Sequence, residues 1–199
     1  MARPRSAGFE LQREQMLAAA AHLFASRGYT ATTMNEVAAA CGVSKATLYH
    51  YVADKHALLA QISRGHVARL EQLVQGVHAL DLPPQAQLQE LILRFMQVYA
   101  HAQSEHRVLT EDLKFLGDAD RDAVKTGQRR VVTAFADAIA LLRPDLHLSQ
   151  LHTPLAMLLF GMINWTFTWL REGGALTHAS MAPLVVQLFL GGLPAVQPA

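Results

Sequence analysis

Cysteine is almost absent from this chain, and Cys41 is the single one among 199 residues. One thiol excludes a disulfide within the chain, and it excludes a zinc finger built on cysteine ligands. The sequence also lacks any run of alternating β-branched residues, which is the pattern that predicts half-buried strands. We therefore expect a helical chain in which Cys41 is a small core residue.

Catalytic signatures are missing as well. The chain has no Ser/His/Asp order, no paired-carboxylate signature and no Gly-rich phosphate loop in a strand–turn–helix setting. We therefore expect neither an enzyme nor a bound cofactor. Residues 1–12 are basic but lack the apolar run of a secretory signal, so the expected location is the cytoplasm.

Charge of either sign is sparse, at 17% of residues, and the net charge is only +1. Its distribution is uneven. Residues 1–60 hold 6 of the 17 basic and 4 of the 16 acidic side chains, a net charge of +2, which leaves −1 for the remainder. A slightly basic N-terminal part is the direction that contact with DNA phosphates requires.

Two short helices around a glycine turn are the most informative pattern in the sequence. Thr33 and Glu36 have the spacing of a capping box at the start of the first helix. Gly42 supplies the positive φ that ends this helix, and Ser44 caps a second helix, Lys45–Tyr51. An apolar stripe at i, i+3, i+4 and i+7 supports the first helix: Met34, Val37, Ala38 and Cys41.

The second helix has little to bury, because only Leu48 is suited to an interior. A short helix that offers small, hydroxyl and aromatic side chains from a tight turn suits the major groove of DNA. The alternative is a generic helical bundle in which Tyr49 and Tyr51 are packing aromatics. The side chains available to a partner are Lys45, Ala46, Thr47, Tyr49, His50 and Tyr51.

This pattern resembles the DNA-binding domain of the TetR family of repressors over residues 17–59. It departs at Cys41, usually alanine, and at Val52, often phenylalanine. The resemblance implies a helical homodimer in which each chain joins a DNA-binding head to a ligand-receiving body. The matching residues, in order, are Leu23-Phe24-Ala25, Gly28-Tyr29, Thr32-Thr33-Met34, Val37-Ala38, Gly42-Val43-Ser44-Lys45, Thr47-Leu48-Tyr49-His50-Tyr51 and Lys55.

The resemblance, carried over by position, implies roles at the DNA. Thr47 and Lys45 are placed near base edges, and Ala46 beside them suits a thymine methyl group. Hydroxyl and ammonium groups that bind phosphates position the protein without specifying a sequence. The expected DNA-binding set is Thr33, Asn35, Ser44, Lys45, Ala46, Thr47, Tyr49, His50, Tyr51 and Lys55, with Tyr49, Tyr51 and Lys55 against phosphates and Thr33 and Asn35 anchoring the first helix.

The rest of the chain has helical periodicity, interrupted at Pro83-Pro84, Arg143-Pro144 and Gly173-Gly174. We expect an all-α protein with two domains. The first, 1–52, is a three-helix helix-turn-helix DNA-binding domain, and the second, 53–199, is a helical ligand-binding and dimerisation domain. Predicted helices outside the motif are 11–26, 54–79, 85–103, 106–116, 119–142, 149–171 and 178–190.

Residues 146–170 contain no Asp, Glu, Lys or Arg, a length that raises the possibility of a membrane span. Because Gln150, Pro154 and Asn164 interrupt the run, we favour a buried helix shared between a pocket and a dimer interface, with no membrane partner. The family resemblance implies that the two C-terminal helices, here 149–171 and 178–190, build that interface.

A second, shorter resemblance concerns the effector. Phe160, Met162, Asn164, Trp165, Phe167 and Trp169, followed by Arg171-Glu172-Gly173-Gly174, are similar to TetR repressors that respond to CoA thioesters from fatty-acid, aromatic-acid or steroid breakdown. An apolar pocket would bind the acyl or aryl group, with cations for the CoA phosphates at its mouth. The candidate ligand-binding residues are Phe95, Met96, Tyr99, Arg107, Phe115, Arg130, Asn164 and Trp165. Arg129 is a further candidate cation, and the alternative for all three arginines is an ordinary solvated helix charge.

Five potential metal ligands are close in sequence: His101, Glu105, His106, Glu111 and Asp112. His101 and Glu105 are an i, i+4 pair on one helical face, which suffices for two ligands. A protein site needs three or four converging groups, and the spacing does not show such convergence. We expect a solvated, polar helix end and no bound metal.

The sequence thus predicts a ligand-responsive transcriptional repressor that binds a pseudo-palindromic operator as a dimer and is released by a small hydrophobic effector, with a CoA thioester as the candidate. The alternative on the same scaffold is a DNA-bound structural or cell-division factor without a small-molecule inducer. A ligand pocket in the second domain is the feature that separates the two.

Overall fold

The computed structural model of this chain describes residues 7–170 and 174–198. These residues form helices and short turns, with no β-strand among them, and the all-α prediction is confirmed. Arg171, Glu172 and Gly173 of the second resemblance lie outside the described residues. The helices are α1 (Ala7–Arg27), α2 (Met34–Ala40), α3 (Lys45–Tyr51), α4 (Lys55–His78), α5 (Pro84–His101), α6 (Gln103–Glu111), α7 (Asp118–Leu142), α8 (Pro144–Leu148), α9 (His152–Asn164), α10 (Thr166–Trp169) and α11 (His178–Gly192).

The helices belong to two compact units. The first holds the chain up to residue 66 together with 104–124, and the second holds 67–103 and the chain from residue 125 onward. The first unit therefore contains the predicted head and also the start of α4, most of α6 and the start of α7. The division of function at residue 52 stays a prediction.

The core of the first unit forms where α1 turns one apolar face inward. Helical spacing places four apolar residues of α1 on that face, and all four are buried. From α2 and α3 the core receives Val37, Ala38 and Leu48, which explains why these seven-residue helices hold together despite their length. The α1 residues are Met16, Ala20, Leu23 and Phe24.

The core of the second unit centres on phenylalanines from three helices. The ring centroid of Phe135 on α7 lies 4.8 Å from that of Phe95 on α5 and 4.8 Å from that of Phe160 on α9. Both pairs meet edge to face, the arrangement that aromatic quadrupoles favour. Gly127 lets α7 approach α4 closely in this unit, because a methyl group there would collide with Cγ1 of Val67.

The prediction of one continuous helix over 149–171 is wrong, because the helical structure is interrupted at Gln150 and again at Trp165. Gln150 adopts φ +59, and the N–H of Leu151 donates to the carbonyl of Leu146 at 2.8 Å, which closes α8 with a left-handed cap. α9 then begins at His152 and ends at Asn164. By length and composition, His178–Ala195 is the stretch apolar enough to cross a membrane within the described residues, and a third of it is buried inside the second unit.

Candidate functional site

The start of α2 is held by the predicted capping box. Thr33 Oγ1 accepts from the N–H of Glu36 at 3.3 Å, and the carboxylate of Glu36 accepts from the N–H of Thr33 at 2.8 Å. The guanidinium of Arg27 lies 2.9 Å from the same carboxylate. The backbone N–H and the hydroxyl of Thr33 both donate to this carboxylate and, with a smaller contribution from Arg27, lower the pKa of Glu36 below its ordinary value. The cap therefore stays formed at neutral pH.

The turn between α2 and α3 has the predicted geometry. Gly42 adopts φ +65, and the N–H of Val43 donates to the carbonyl of Ala38 at 3.0 Å. Ser44 Oγ then accepts from the N–H of Thr47 at 3.0 Å, so α3 begins at a capped position. A hydrogen bond of 2.8 Å between the hydroxyls of Ser44 and Thr47 fixes the first side chains of α3.

α3 presents most of its surface to solvent. Leu48 is its one buried residue, whereas Lys45, Ala46, Tyr49 and His50 are exposed. Thr47 is half-buried at the capped end, and Thr33 and Asn35 are exposed at the start of α2. A rigid helix with hydroxyl, ammonium, imidazole and phenol groups on its open face can bind a groove of polar edges and anions.

Two of the three predicted phosphate donors already have partners within the first unit. The ring of Tyr51 stacks on that of Phe9 with centroids 4.4 Å apart, and its hydroxyl donates to Gln12 Oε1 at 2.5 Å. The ammonium of Lys55 donates to three backbone carbonyls of residues 29–32. Tyr49, by contrast, is 44% exposed, and Lys45 Nζ lies 5.9 Å from the centroid of its ring.

The second unit contains an open cleft of about 830 Å³. Its walls come from α4, α5, the two residues that follow α5, Leu170, and residues 176–179 at the start of α11. Leu73, Val98 and Leu170 make parts of the wall apolar. Arg69 and Arg94 bring two guanidinium groups to it.

His178 is the most deeply buried polar group of the cleft wall. It is 5% exposed, and its Nε2 has no hydrogen-bond partner among the described residues. Burial lowers its pKa below the ordinary value, which favours a neutral ring at neutral pH. A buried imidazole nitrogen without a partner is costly, and a polar group of a ligand would satisfy it.

Comparison with known proteins agrees with this arrangement. Residues 16–62 match the family model of bacterial regulatory proteins of the tetR family, and residues 81–193 match that of the tetracyclin repressor-like C-terminal domain. The chain belongs to the TetR family. The HTH-type transcriptional repressor KstR2 of Rhodococcus jostii is 26% identical over 187 residues, covering 92% of this chain and 91% of that protein.

Solved structures agree with the TetR assignment. A TetR-family transcriptional regulator from Bordetella parapertussis 12822 is 34% identical, covers 94% of this chain and 98% of its own, and superposes with a TM-score of 0.85. AibR in complex with isovaleryl coenzyme A and operator DNA shares the fold, with a TM-score of 0.75, 24% identity and coverage of 89% and 97%. This TetR-family protein is a transcriptional regulator with a helix-turn-helix DNA-binding domain, and it is not an enzyme.

The cleft of this TetR-family protein is lined by none of the eight predicted ligand residues among those described. Phe95 and Met96 are completely buried and Tyr99 nearly so, and all three belong to the packed core of the second unit. Asn164 is half-buried, and Trp165 is 66% exposed. Phe115 belongs to the first unit, where its ring stacks on that of Tyr29.

The predicted phosphate-binding arginines are also outside the cleft. Arg107 is exposed and lies 3.1 Å from Glu111 of the same helix, and Arg130 pairs with Glu71 at 2.5 Å. Arg129 is exposed on α7. The sequence did not predict the two cations and the imidazole of the cleft, which belong to Arg69, Arg94 and His178. Their helices are far apart in the chain, and no local pattern brings them together.

The proposed metal ligands are divided between the units. His101 belongs to the second unit, whereas Glu105 and His106 belong to the first. His106 is buried, and its ring centroid lies 5.7 Å from that of His66. Within the described residues no group of three His, Cys, Asp or Glu side chains is placed to hold a metal ion.

Proposed function

We propose that this TetR-family protein represses transcription as a cytoplasmic homodimer on a pseudo-palindromic operator. We further propose that binding of an acyl- or aryl-CoA thioester changes its affinity for that operator. The exposed face of α3 carries the DNA part of this proposal. Lys45, Ala46 and Tyr49 project from a helix whose start is capped and whose turn is closed by Gly42. The repressor name of the R. jostii relative supports the direction of regulation.

Dimerisation is supported by an apolar surface on the last helices of the second unit. Trp165 is 66% exposed and Leu188 is 69% exposed, values that a single chain in water does not favour for such large side chains. We name the exposed apolar side chains of these helices the apolar face of α9–α11. They are Met157, Leu158, Met162, Trp165, Trp169, Leu184 and Leu188. A homodimer carries two α3 helices, one for each half-site of a pseudo-palindromic operator.

The cleft of the second unit is the proposed effector site. Its apolar wall suits an acyl or aryl group, and burial of that group would supply most of the affinity. The guanidinium groups of Arg69 and Arg94 suit phosphates. The Nε2 of His178, which has no hydrogen-bond partner in the described part of the chain, suits a polar group near the acyl end. A CoA thioester combines all three chemical features. The complex of AibR with isovaleryl coenzyme A supports this ligand class.

The operator is identified first, by selecting bound sequences from random double-stranded DNA with the purified protein. We expect an enriched pseudo-palindrome with half-sites about one helical turn apart. Recovery of no enriched sequence would refute the DNA-binding proposal. The selected DNA is then the probe for every later experiment.

The effector is identified by measuring operator affinity in the presence of a panel of CoA thioesters, with CoA alone and the corresponding free acids as controls. An effector must bind one conformation better than the other, because equal affinity for both shifts nothing. A change from 99:1 to 1:99 needs a difference of about 5.5 kcal/mol. The assay also measures the sign of the coupling, which matters because AibR was solved with both the thioester and operator DNA bound.

Replacement of Arg94 by Gln is the matched test of the cleft, with Arg129→Gln as the control for an exposed arginine outside it. We expect only Arg94→Gln to weaken the response to the thioester, by roughly tenfold as for one charge-assisted contact, with operator affinity unchanged in its absence. A response to free acids but not to thioesters would replace the CoA proposal by a simple aromatic or fatty acid. If no compound acts, the inducer-free structural or cell-division role is favoured.

A further inference from the structure

Lys55 is bound inside the first unit in a way that leaves its ammonium group no spare donor. Its Nζ donates to the carbonyls of Tyr29 at 3.0 Å, Thr30 at 3.3 Å and Thr32 at 2.9 Å. An ammonium has three N–H groups, and all three have acceptors here. A phosphate contact from Lys55 would require at least one of these bonds to break.

The three carbonyls lie in the turn that connects α1 to α2. This turn follows Gly28, which adopts φ +89, and leads directly to the capping residue Thr33. Within the turn, the carbonyl of Tyr29 also accepts from the N–H of Thr32 at 3.3 Å. The ammonium of Lys55 connects the three carbonyls to the start of α4, immediately before the capping residue of α2.

Tyr29 connects this arrangement to a segment far along the chain. Its ring centroid is 4.5 Å from Lys55 Nζ, a cation–π contact, and 5.1 Å from the ring centroid of Phe115, on which it stacks. Phe24 closes a third side, edge-on at 5.1 Å. Tyr29 is only 6% exposed, so its ring is held from several directions.

Phe115 lies in a short 3-10 turn between α6 and α7, within the segment 104–124 that belongs to the first unit. The same segment is tied to α4 by an ion pair between Asp120 and Arg64, and by the ring contact between His106 and His66. Its two ends continue into the second unit at residues 103 and 125. Segment 104–124 therefore packs on the rest of the first unit at Tyr29, Arg64 and His66.

We propose that Lys55, Tyr29 and Phe115 form a clasp that positions the α1–α2 turn for operator binding, so that Lys55 is a positioning residue and Phe115, outside the helix-turn-helix, sets operator affinity. Lys55 acts through the backbone and makes no contact with phosphate.

The test measures operator affinity of Lys55→Met and Lys55→Arg over a series of salt concentrations, with Lys125→Met as a control for loss of one exposed lysine. A lost phosphate contact lowers the slope of log K against log salt by about 0.9. The clasp predicts that Lys55→Met and Lys55→Arg both lose about tenfold in affinity with an unchanged slope, because a planar guanidinium cannot serve three converging carbonyls. A lower slope for Lys55→Met, with normal binding by Lys55→Arg, would overturn the proposal.

Phe115→Leu and Tyr29→Phe test the stack of Tyr29 on Phe115. The concentration of active dimers is first measured by titration with operator DNA, so that partly unfolded protein does not distort the measured affinity. Tyr29→Phe keeps the ring and is expected to bind normally. Phe115→Leu loses the stack and is expected to bind about fivefold more weakly, with an unchanged salt slope. Normal affinity of a folded Phe115→Leu protein would disprove the role of Phe115. Because the unaltered protein is measured first on its selected operator, that result leaves the proposed function standing.

Discussion

Gly42 and Gly65 are both exposed, and a methyl group at either would meet no atom within 4 Å. They differ in backbone conformation, because Gly42 adopts φ +65 whereas Gly65 lies inside α4. Gly42→Ala should therefore lower the free energy of unfolding by about 1 kcal/mol through strain alone. Gly65→Ala should raise it by about 0.5–1 kcal/mol through helix propensity.

Urea unfolding of the two alanine variants measures this difference, with Gly42→Asn as a further comparison because asparagine tolerates the left-handed region better. We expect the order Gly65→Ala, unaltered protein, Gly42→Asn, Gly42→Ala from most to least stable. Equal effects of the two alanines would show that the turn does not hold its positive φ in solution.

His178 makes stability depend on pH. Its pKa is lowered by burial from an ordinary value of 6.5, so below that pH the unfolded chain takes up a proton that the folded chain does not. The unfolded state is then favoured, and stability is lost as the pH falls from about 6.5 towards the lowered value. His178→Gln should flatten the decline of melting temperature over this window, whereas His22→Gln, at an exposed position of α1, should leave it unchanged. Parallel curves for all three proteins would contradict this account.

We propose that α3 determines both the affinity for DNA and the preferred base sequence, through different residues. Tyr49→Ala should weaken binding to every DNA sequence, because a phenol that binds phosphate positions the protein without specifying bases. Replacement of Lys45 or Thr47 by Ala should also change the preferred bases, because we propose that these side chains contact base edges. Each change should cost about 1–3 kcal/mol.

Repeating the DNA selection with each α3 variant tests that division. Lys125→Ala on α7 is the control for loss of a lysine elsewhere, and it should return the original operator. An altered consensus for Tyr49→Ala, or an unaltered one for both Lys45→Ala and Thr47→Ala, would reverse the assigned roles.

At the scale of the whole molecule, operator binding should require the apolar face of α9–α11. Leu188 is 69% exposed, so Leu188→Glu should leave the single chain folded while placing a charge in the proposed dimer interface. We expect monomers of the sequence mass, 21.8 kDa, by light scattering and loss of operator binding. Leu80→Glu, at a 47% exposed site outside this face, should remain dimeric and bind DNA. A dimer of the Leu188→Glu protein would place the interface elsewhere.

The sequence alone was sufficient for the local features of the DNA-binding helices. The capping box at Thr33, the positive φ of Gly42 and the bounds of α3 at Lys45–Tyr51 all appear as predicted. Caps, turns and apolar stripes depend on residues three or four positions apart, and such interactions form or fail within a single turn of helix. In the long run without charged residues, 146–170, the break at Gln150 was missed.

Only the tertiary structure decided which distant side chains meet. Arg69, Arg94 and His178 come from three separate stretches of chain and line one cleft. Phe115, which was predicted to line the ligand pocket, instead packs on Tyr29 in the first unit. The sequence predicts that Lys55 donates to a phosphate, whereas in the structure its ammonium donates to three backbone carbonyls. Periodicity specifies the face of a helix that is buried, but the partner of that face follows from how the helices pack, which no window of a few residues contains.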